Sequence, residues 1–460
     1  MRVPFPSITR FSGWVSGSPP WVGVTRVRLA VIGGGITGLA AAYEAERLGG
    51  GDVEVTLYEA SDRLGGKMHT VRDDGFVVEA GADAVVRYKP WALELAREVG
   101  LAGEIVGTLP AEPAALIIAR GRALPLPAGL NLVAPARLGP LVRTPLLSAR
   151  GKLRALGDLV LPRGPGGDEP LGRFVSRRLG RELLENLAAP LVGGIYGGDP
   201  AELSTEAAFP QLLDLERRHR SLVLGSRRLL AERAASPYGG GLFASFEGGL
   251  GRLTEAITGA LAHTEIRLGS PVASLEELGA GAVVLAVPAW VAADLVASGA
   301  ESLRAIRYAD AVNVTLAFPA AGFPETTGHG ALFAAGERTA VRGFTWIDRK
   351  WGGRAPEGFR LVRAFMASND SDEELVVAVL GELRRLLGSA PEPARRWVFR
   401  WPRAMPQYTV GHLARVQAAE SALPPGAFLA GAAYRGVGVP DAVRSGREAA
   451  ARALEFLRGR

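Results

Sequence analysis

The sequence predicts an α/β fold joined to an α+β part, on three observations. "RLAVIGGGITGLAAAYEAERLG" (Arg28–Gly49) reads as strand, glycine turn and helix. "LAGAAYRGVGVPDAVRSGREAAARAL" (Leu429–Leu454) repeats that order at the far end of the chain. Between them, residues 170–235 read as helical and residues 301–370 alternate as strands do.

The first unit is a βαβ. Leu29–Ile32 is a short apolar run, Ile36–Leu48 favours helix, and Val53, Val55 and Leu57 alternate with Glu54, Thr56 and Tyr58. The turn Gly33-Gly34-Gly35-Ile36-Thr37-Gly38 satisfies G-x-G-x-x-G. In that pattern Gly33 permits the tight turn, Gly35 lets a pyrophosphate approach the backbone, and Gly38 lets helix and strand pack closely. The helix N-terminus adds free N–H groups and a positive dipole end. Glu59 closes the second strand roughly 20 residues later, where an acid accepts both ribose hydroxyls of an adenosine and repels a 2′-phosphate. The pattern therefore points to a dinucleotide other than NADP. After it, "EASDRLGGKMHT" carries Arg63 two residues before Gly65-Gly66. A cation beside a second open turn suits a further phosphate contact. A simple NAD domain has no need of one, so FAD is favoured.

Residues 108–165 are rich in Leu, Pro and Arg. No acid falls between Glu112 and Asp158, while Arg120, Arg122, Arg137, Arg143, Arg150, Lys152 and Arg154 do. Such a stretch suits either a membrane- or substrate-facing surface or an ordinary arginine-dotted subdomain. The helical stretch 170–235 is interrupted by "LVGGIYGGDP" (Leu191–Pro200). "FASFEGGLGRLTEAITGAL" reads as a glycine turn entering a helix, and "EIRLGSPVASLEEL" as two short strands. In "GAVVLAVPAWVAADLVASGA" (Gly281–Ala300), Pro288 and Asp294 argue against a membrane span. Ala282–Val287 reads as a buried strand and the rest as a short helix. Glu373–Leu387 is an amphipathic helix.

The chain has 460 residues, 48% of them hydrophobic, enough for two or three domains with a large core. The formal charge is +6 and only four of the 53 basic residues are lysine. No recognised nucleic-acid module accompanies that charge, so nucleic acid is not an expected partner. The absence of cysteine excludes disulfides, thiol nucleophiles, cysteine-held zinc and iron–sulfur clusters, and cysteinyl attachment of a cofactor. The five histidines have no metal-ligand spacing, so no metal is expected. The acid-free start reads as a disordered extension (1–25) or, alternatively, a transit-type leader.

"GGGITGLAAAY…LYEASDRLGGK" resembles the flavoprotein superfamily of amine oxidases, phytoene desaturases and porphyrinogen oxidases. "FVVEAGADAVVRYKP", "GIYGGDP", "RWPRAMPQYTVGH" and "LAGAAYRGVGVPDAVRSGREAA" narrow it to the oxygen-dependent protoporphyrinogen/coproporphyrinogen oxidases of heme synthesis. The resemblance spans Arg26–Arg460. It implies an FAD-binding Rossmann-like domain of the amine-oxidase type (26–93, 236–295 and 397–460), discontinuous in sequence. A mixed-sheet substrate-binding domain (94–112, 185–235 and 296–396) and a helical subdomain (113–184), with a membrane-facing role as one of its two readings, complete it. By resemblance, adenosine and pyrophosphate contacts fall on Gly33–Gly38, including Gly34, Ile36 and Thr37, and on Glu59, Ala60 and Lys67. Flavin-side contacts fall on Gly81, Ala82, Asp83 and Ala84. A backbone adenine contact falls on Val272, and C-terminal contacts on Trp401, Gly431, Ala432, Val437, Gly438 and Val439. Ala82 departs from the family's usual proline, and residues 1–25 have no recognised counterpart.

A long FAD explains the second glycine turn, because its isoalloxazine ring lies far from the adenine. Gly431, Gly436 and Gly438 let backbone meet a flat ring edge, and a helix beginning near Asp441 aims its positive end at the flavin. The implied reaction is six-electron oxidation of a porphyrinogen in three rounds, each passing two electrons to the flavin. Dioxygen restores the cofactor and leaves as hydrogen peroxide. Arg87 is the leading partner for a substrate carboxylate, and Tyr434 and Arg435 are candidate pocket residues. No side-chain base is evident. The expected location is cytoplasmic, with peripheral membrane contact and product hand-off to a ferrochelatase-type enzyme left open, as are oligomeric state and the choice of porphyrinogen. The alternatives are a flavin amine oxidase or carotenoid desaturase on the same fold, and a non-catalytic flavin-bearing tetrapyrrole carrier.

Overall fold

A computed structural model describes residues 26–234, 241–368 and 370–459. The expected extension at 1–25 lies outside them.

Five parallel strands form the first sheet, in the spatial order Glu265–Arg267, Val53–Tyr58, Val27–Ile32, Ala282–Leu285, Ala427–Leu429. Numbered along the chain, that order is 3-2-1-4-5. Winding reverses beside the first strand, and doubly wound sheets take ligands at the carboxyl ends of the strands flanking such a reversal. Side-chain alternation puts Leu29, Val31, Val55, Leu57, Ala282 and Val284 in one core and Ala30, Ile32, Val283 and Leu285 in another. The first core is closed by the helix Ile36–Gly49 and the C-terminal helix Val439–Arg458. These helices meet backbone to backbone: a β-carbon on Gly446 would stand 2.1 Å from Thr37 O. The second core is closed by Ala289–Leu295, entered at Pro288, and by His412–Ala422. The 281–300 segment is thus a strand and a helix, as expected. No helix among the described residues is long and apolar enough to cross a membrane.

A second, seven-stranded sheet runs in the order Arg395–Pro406, Tyr308–Pro319, Phe359–Met366, Val341–Trp346, Gly330–Phe333, Leu116–Ala119, Arg122–Pro125. Val312, Val314, Leu316, Phe318 and Phe344 cover the helix Asp372–Leu387, which starts in a capping box between Ser371 and Glu374. The opposite face turns Asn313 and Arg363 toward Ala80 and Gly81.

Four expectations are corrected. Residues 397–406 belong to this second sheet, because they pair with Tyr308–Thr315. Residues 116–125 form its other edge instead of joining the helical part. Leu191–Tyr196 continues a helix that ends at left-handed Gly197. Of "EIRLGSPVASLEEL", only Glu265–Arg267 is a strand; Pro271 has no N–H for a ladder. The helical part is anchored by Arg178 and Asp158, both buried, with Arg178 Nε donating to Asp158 Oδ1 at 2.7 Å.

Candidate functional site

The first glycine turn sits at the reversal point. Gly33 has φ +102°, and its N–H donates to Tyr58 O at 2.7 Å. A β-carbon on Gly38 would stand 1.8 Å from Gly33 O, so glycine is obligatory there. Gly35 differs: it is the helix N-cap, half-exposed, and a β-carbon on it would meet nothing within 4 Å. Open space directly above a helix N-terminus fits a pyrophosphate. Glu59 faces this turn. It accepts from Gly34 N (2.7 Å), Ser61 N (2.8 Å) and Ser61 Oγ (2.7 Å), and its remaining lone pairs suit ribose hydroxyls. Ser270 N donates to Glu59 O at 2.9 Å, which brings the Val272 segment to the same end.

The second turn packs on the first. Gly65 and Gly66 have φ of +95° and +54°, and Gly65 N donates to Gly34 O at 2.9 Å. Arg63 folds back on its own loop, toward Leu64 O. Lys67 follows directly and reaches across to the second sheet. Its ammonium donates to Ala404 O in the strand Arg395–Pro406, and burial lowers its pKa to about 8.

The segment Gly81–Ala84 is gripped by the second sheet. Ala80 O accepts from Asn313 Nδ2 and Trp401 Nε1, each at 2.7 Å, and Gly81 O accepts from Arg363. A β-carbon on Gly81 would stand 1.9 Å from Lys67 O. Asp83 pairs with Lys350 at 2.7 Å. Burial pushes its carboxyl up, but Lys350 and Arg363 outweigh this and hold it at about 2.

The C-terminal turn closes on the first helix. Gly431 has φ +119°, its N–H donates to Ser445 Oγ at 2.9 Å, and a β-carbon there would lie 3.5 Å from Thr37 Oγ1. Tyr408 Oη donates to Ala432 O at 2.6 Å and accepts from Gly436 N at 2.8 Å. Val437, Gly438 and Val439 stay half-exposed, and the helix begins at Val439. Asp441 in its first turn is neutralised by Lys89 at 2.6 Å. Segments from opposite ends of the chain thus enclose one site.

The family profile described as flavin containing amine oxidoreductase matches residues 36–454. The chain belongs to the flavin-containing amine oxidoreductases. It is 34% identical to coproporphyrinogen III oxidase of Bacillus subtilis (strain 168), over 93% of this chain and 98% of that one. It is 35% identical to the coproporphyrinogen III oxidase of Propionibacterium freudenreichii, over 95% and 92%. A crystal structure assigned to protoporphyrinogen oxidase from Exiguobacterium sp. 255-15 superposes with TM-score 0.83 at 34% identity, over 94% and 100%.

In this amine oxidoreductase the site residues fit a flavin dinucleotide: open space above an N-cap glycine, a carboxylate with spare lone pairs beside it, and a second glycine turn packed on the first helix. The substrate-side candidates fare less evenly. Arg87 is half-buried, with its Nε directed to Phe243 O at 3.2 Å. Tyr434 does not face a cleft; it is 2% exposed, in the core with Leu429 and Val416. Arg435 points outward and is held bidentately by Glu420 at 2.5 and 2.6 Å. Neighbouring residues of the turn project to opposite sides, which sequence adjacency does not disclose. Sequence reasoning gave no role to Tyr408, His412 or Lys89. The first two lie in the quoted "MPQYTVGH", but nothing in their spacing marks a bond to residue 432 or 434. Among the described residues no cluster of metal-ligating side chains occurs.

Proposed function

We propose that this oxidoreductase is a porphyrinogen oxidase of heme synthesis. It binds FAD non-covalently and converts coproporphyrinogen III or protoporphyrinogen IX to the porphyrin. Six electrons and six protons leave the macrocycle, and three dioxygen molecules take them up as three of hydrogen peroxide. The observation that carries this reading is identity of about one third, end to end, with enzymes named for coproporphyrinogen III oxidation.

When bound, a flavin supplies the two-electron acceptor, so the chain itself binds, orients and tunes. Gly33–Gly38 and Glu59 hold the adenosine half, with Gly65 and Gly66 beside the phosphates. Ala82, Asp83 and Ala84 line the flavin half, kept in place by Trp401 and Arg363. Gly431–Val439 closes on the ring, and the helix behind it offers its positive end there. The Lys89 ammonium prevents the Asp441 carboxylate from cancelling that field. Arg87 is the proposed carboxylate partner.

Exposed Leu138, Val142, Leu153 and Val160 stand among Arg137, Arg143 and Arg150, a pattern suited to an anionic membrane surface. Steady-state oxidation of both porphyrinogens in oxygenated buffer tests the function, read by porphyrin fluorescence and peroxide. Turnover of either supports it. A protein that turns yellow with FAD and binds porphyrin yet releases no peroxide is a carrier, and turnover of amines alone makes it an amine oxidase.

A further inference from the structure

We propose that Tyr408 and His412 are positioning residues that fix the C-terminal glycine turn and, through it, the surroundings of the isoalloxazine end of the cofactor. This rests on the flavin reading above. The observation behind it is an alternation. Three main-chain groups at every second residue of the turn, Ala432 O, Tyr434 O and Gly436 N, are bonded by just two side chains. Tyr408 Oη donates to the first at 2.6 Å and accepts from the third at 2.8 Å. His412 Nε2 bonds the second at 2.9 Å. A carbonyl only accepts, so Nε2 carries the proton. The two rings stack with centroids 3.9 Å apart and planes 15° off parallel, and both are fully buried.

The turn needs such a clamp. Gly431 and Gly436 hold φ of +119° and +130°, and a glycine-rich loop has many other conformations to visit. The clamp is itself tied to the rest of the molecule. Tyr408 O accepts from Ser204 N at 2.7 Å, Gln407 Nε2 donates to Tyr196 O at 2.9 Å, and Gly411 N donates to Asp168 Oδ2 at 2.9 Å. A β-carbon on Gly198 would fall 2.0 Å from Gln407 Oε1, so "GIYGGDP" packs directly against that side chain. Three blocks scattered along the sequence therefore form one bonded unit ending on the turn. Loss of the Tyr408 hydroxyl leaves two part-buried backbone groups without this partner.

Tyr408→Phe removes one oxygen and tests this in two arms. In the apo-protein, amide exchange across 431–438 is expected to rise at least ~10-fold, with 27–45 unchanged. In the FAD titration, Kd is expected to rise at least ~10-fold and the visible band of bound flavin to shift. Unchanged exchange overturns the proposal, as does faster exchange with Kd and spectrum as in wild type. If Tyr408→Phe does not fold, His412→Leu and His412→Gln replace it. Leu removes the donor and is expected to free the turn, whereas Gln supplies one and is expected to restore it; identical behaviour of the pair overturns the proposal. A wild-type protein that takes up no FAD refutes the flavin reading instead, and the exchange arm still decides whether the hydroxyl holds the turn.

Discussion

At Gly35 and Gly38, two glycines of one motif do different work, and substitution separates them. Aspartate at position 35 meets open space and makes a better N-cap than glycine, at the positive end of a helix. Gly35→Asp is therefore expected to hold or raise the Tm of the apo-protein while abolishing FAD binding by repelling the pyrophosphate. Gly38→Val is expected to unfold or severely destabilise both forms, because its β-carbon collides with Gly33 O. Differential scanning fluorimetry with and without FAD distinguishes the two. His412 gives a pH signature. Burial lowers its pKa from 6.5 to about 4, so it stays neutral in the folded protein while the unfolded chain takes up a proton. Its contribution is intact above pH 6.5 and declines as pH falls toward 4, by up to about 3 kcal/mol. His412→Leu is expected to flatten that part of the stability–pH curve, measured by urea unfolding. The glycines were legible because their spacing encodes a local backbone shape. Tyr408, Lys89 and Arg363 were not, because each acts on a main-chain or charged group far off in sequence.

At the scale of elements, period-two and helical patterns identified the first βαβ, the 282–285 strand and the 372–387 helix. Sheet membership escaped them. "RWVFRWPRAMP" alternates equally well for either sheet, and only its pairing with Tyr308–Leu316 decides. The helical part is expected to hinge on Asp158, which accepts from Arg178 Nε (2.7 Å), Ser221 Oγ (2.6 Å) and Val223 N (3.0 Å). Asp158→Ala takes the nearest carboxylate from a buried guanidinium, leaves it only Glu216 at 3.5 Å, and is expected to cost about 3 kcal/mol in chemical denaturation. The surface of the same region carries a separate expectation. Leu153→Glu should leave Tm unchanged within about 2 °C and reduce sedimentation with phosphatidylserine vesicles several-fold. Equal sedimentation of the two proteins argues that this face meets no membrane.

Across the whole molecule, strands from both ends of the chain lie in one parallel sheet, and two helices cross where Gly446 meets Thr37. Beside that crossing the two glycine turns meet, with Gly431 against Thr37. The segment Ala80–Asp83 is also held from the second sheet by Trp401 and Arg363, and by Lys350 in the short helix after the strand Val341–Trp346. A ligand gripped at both extremities is expected to stabilise both termini together. The most direct measurement is an FAD titration of the purified apo-protein, followed by absorbance and by acid precipitation. One equivalent of flavin, bound with a structured visible band and released intact into the acid supernatant, is the expected result. A protein that stays colourless after incubation with excess FAD contradicts the account.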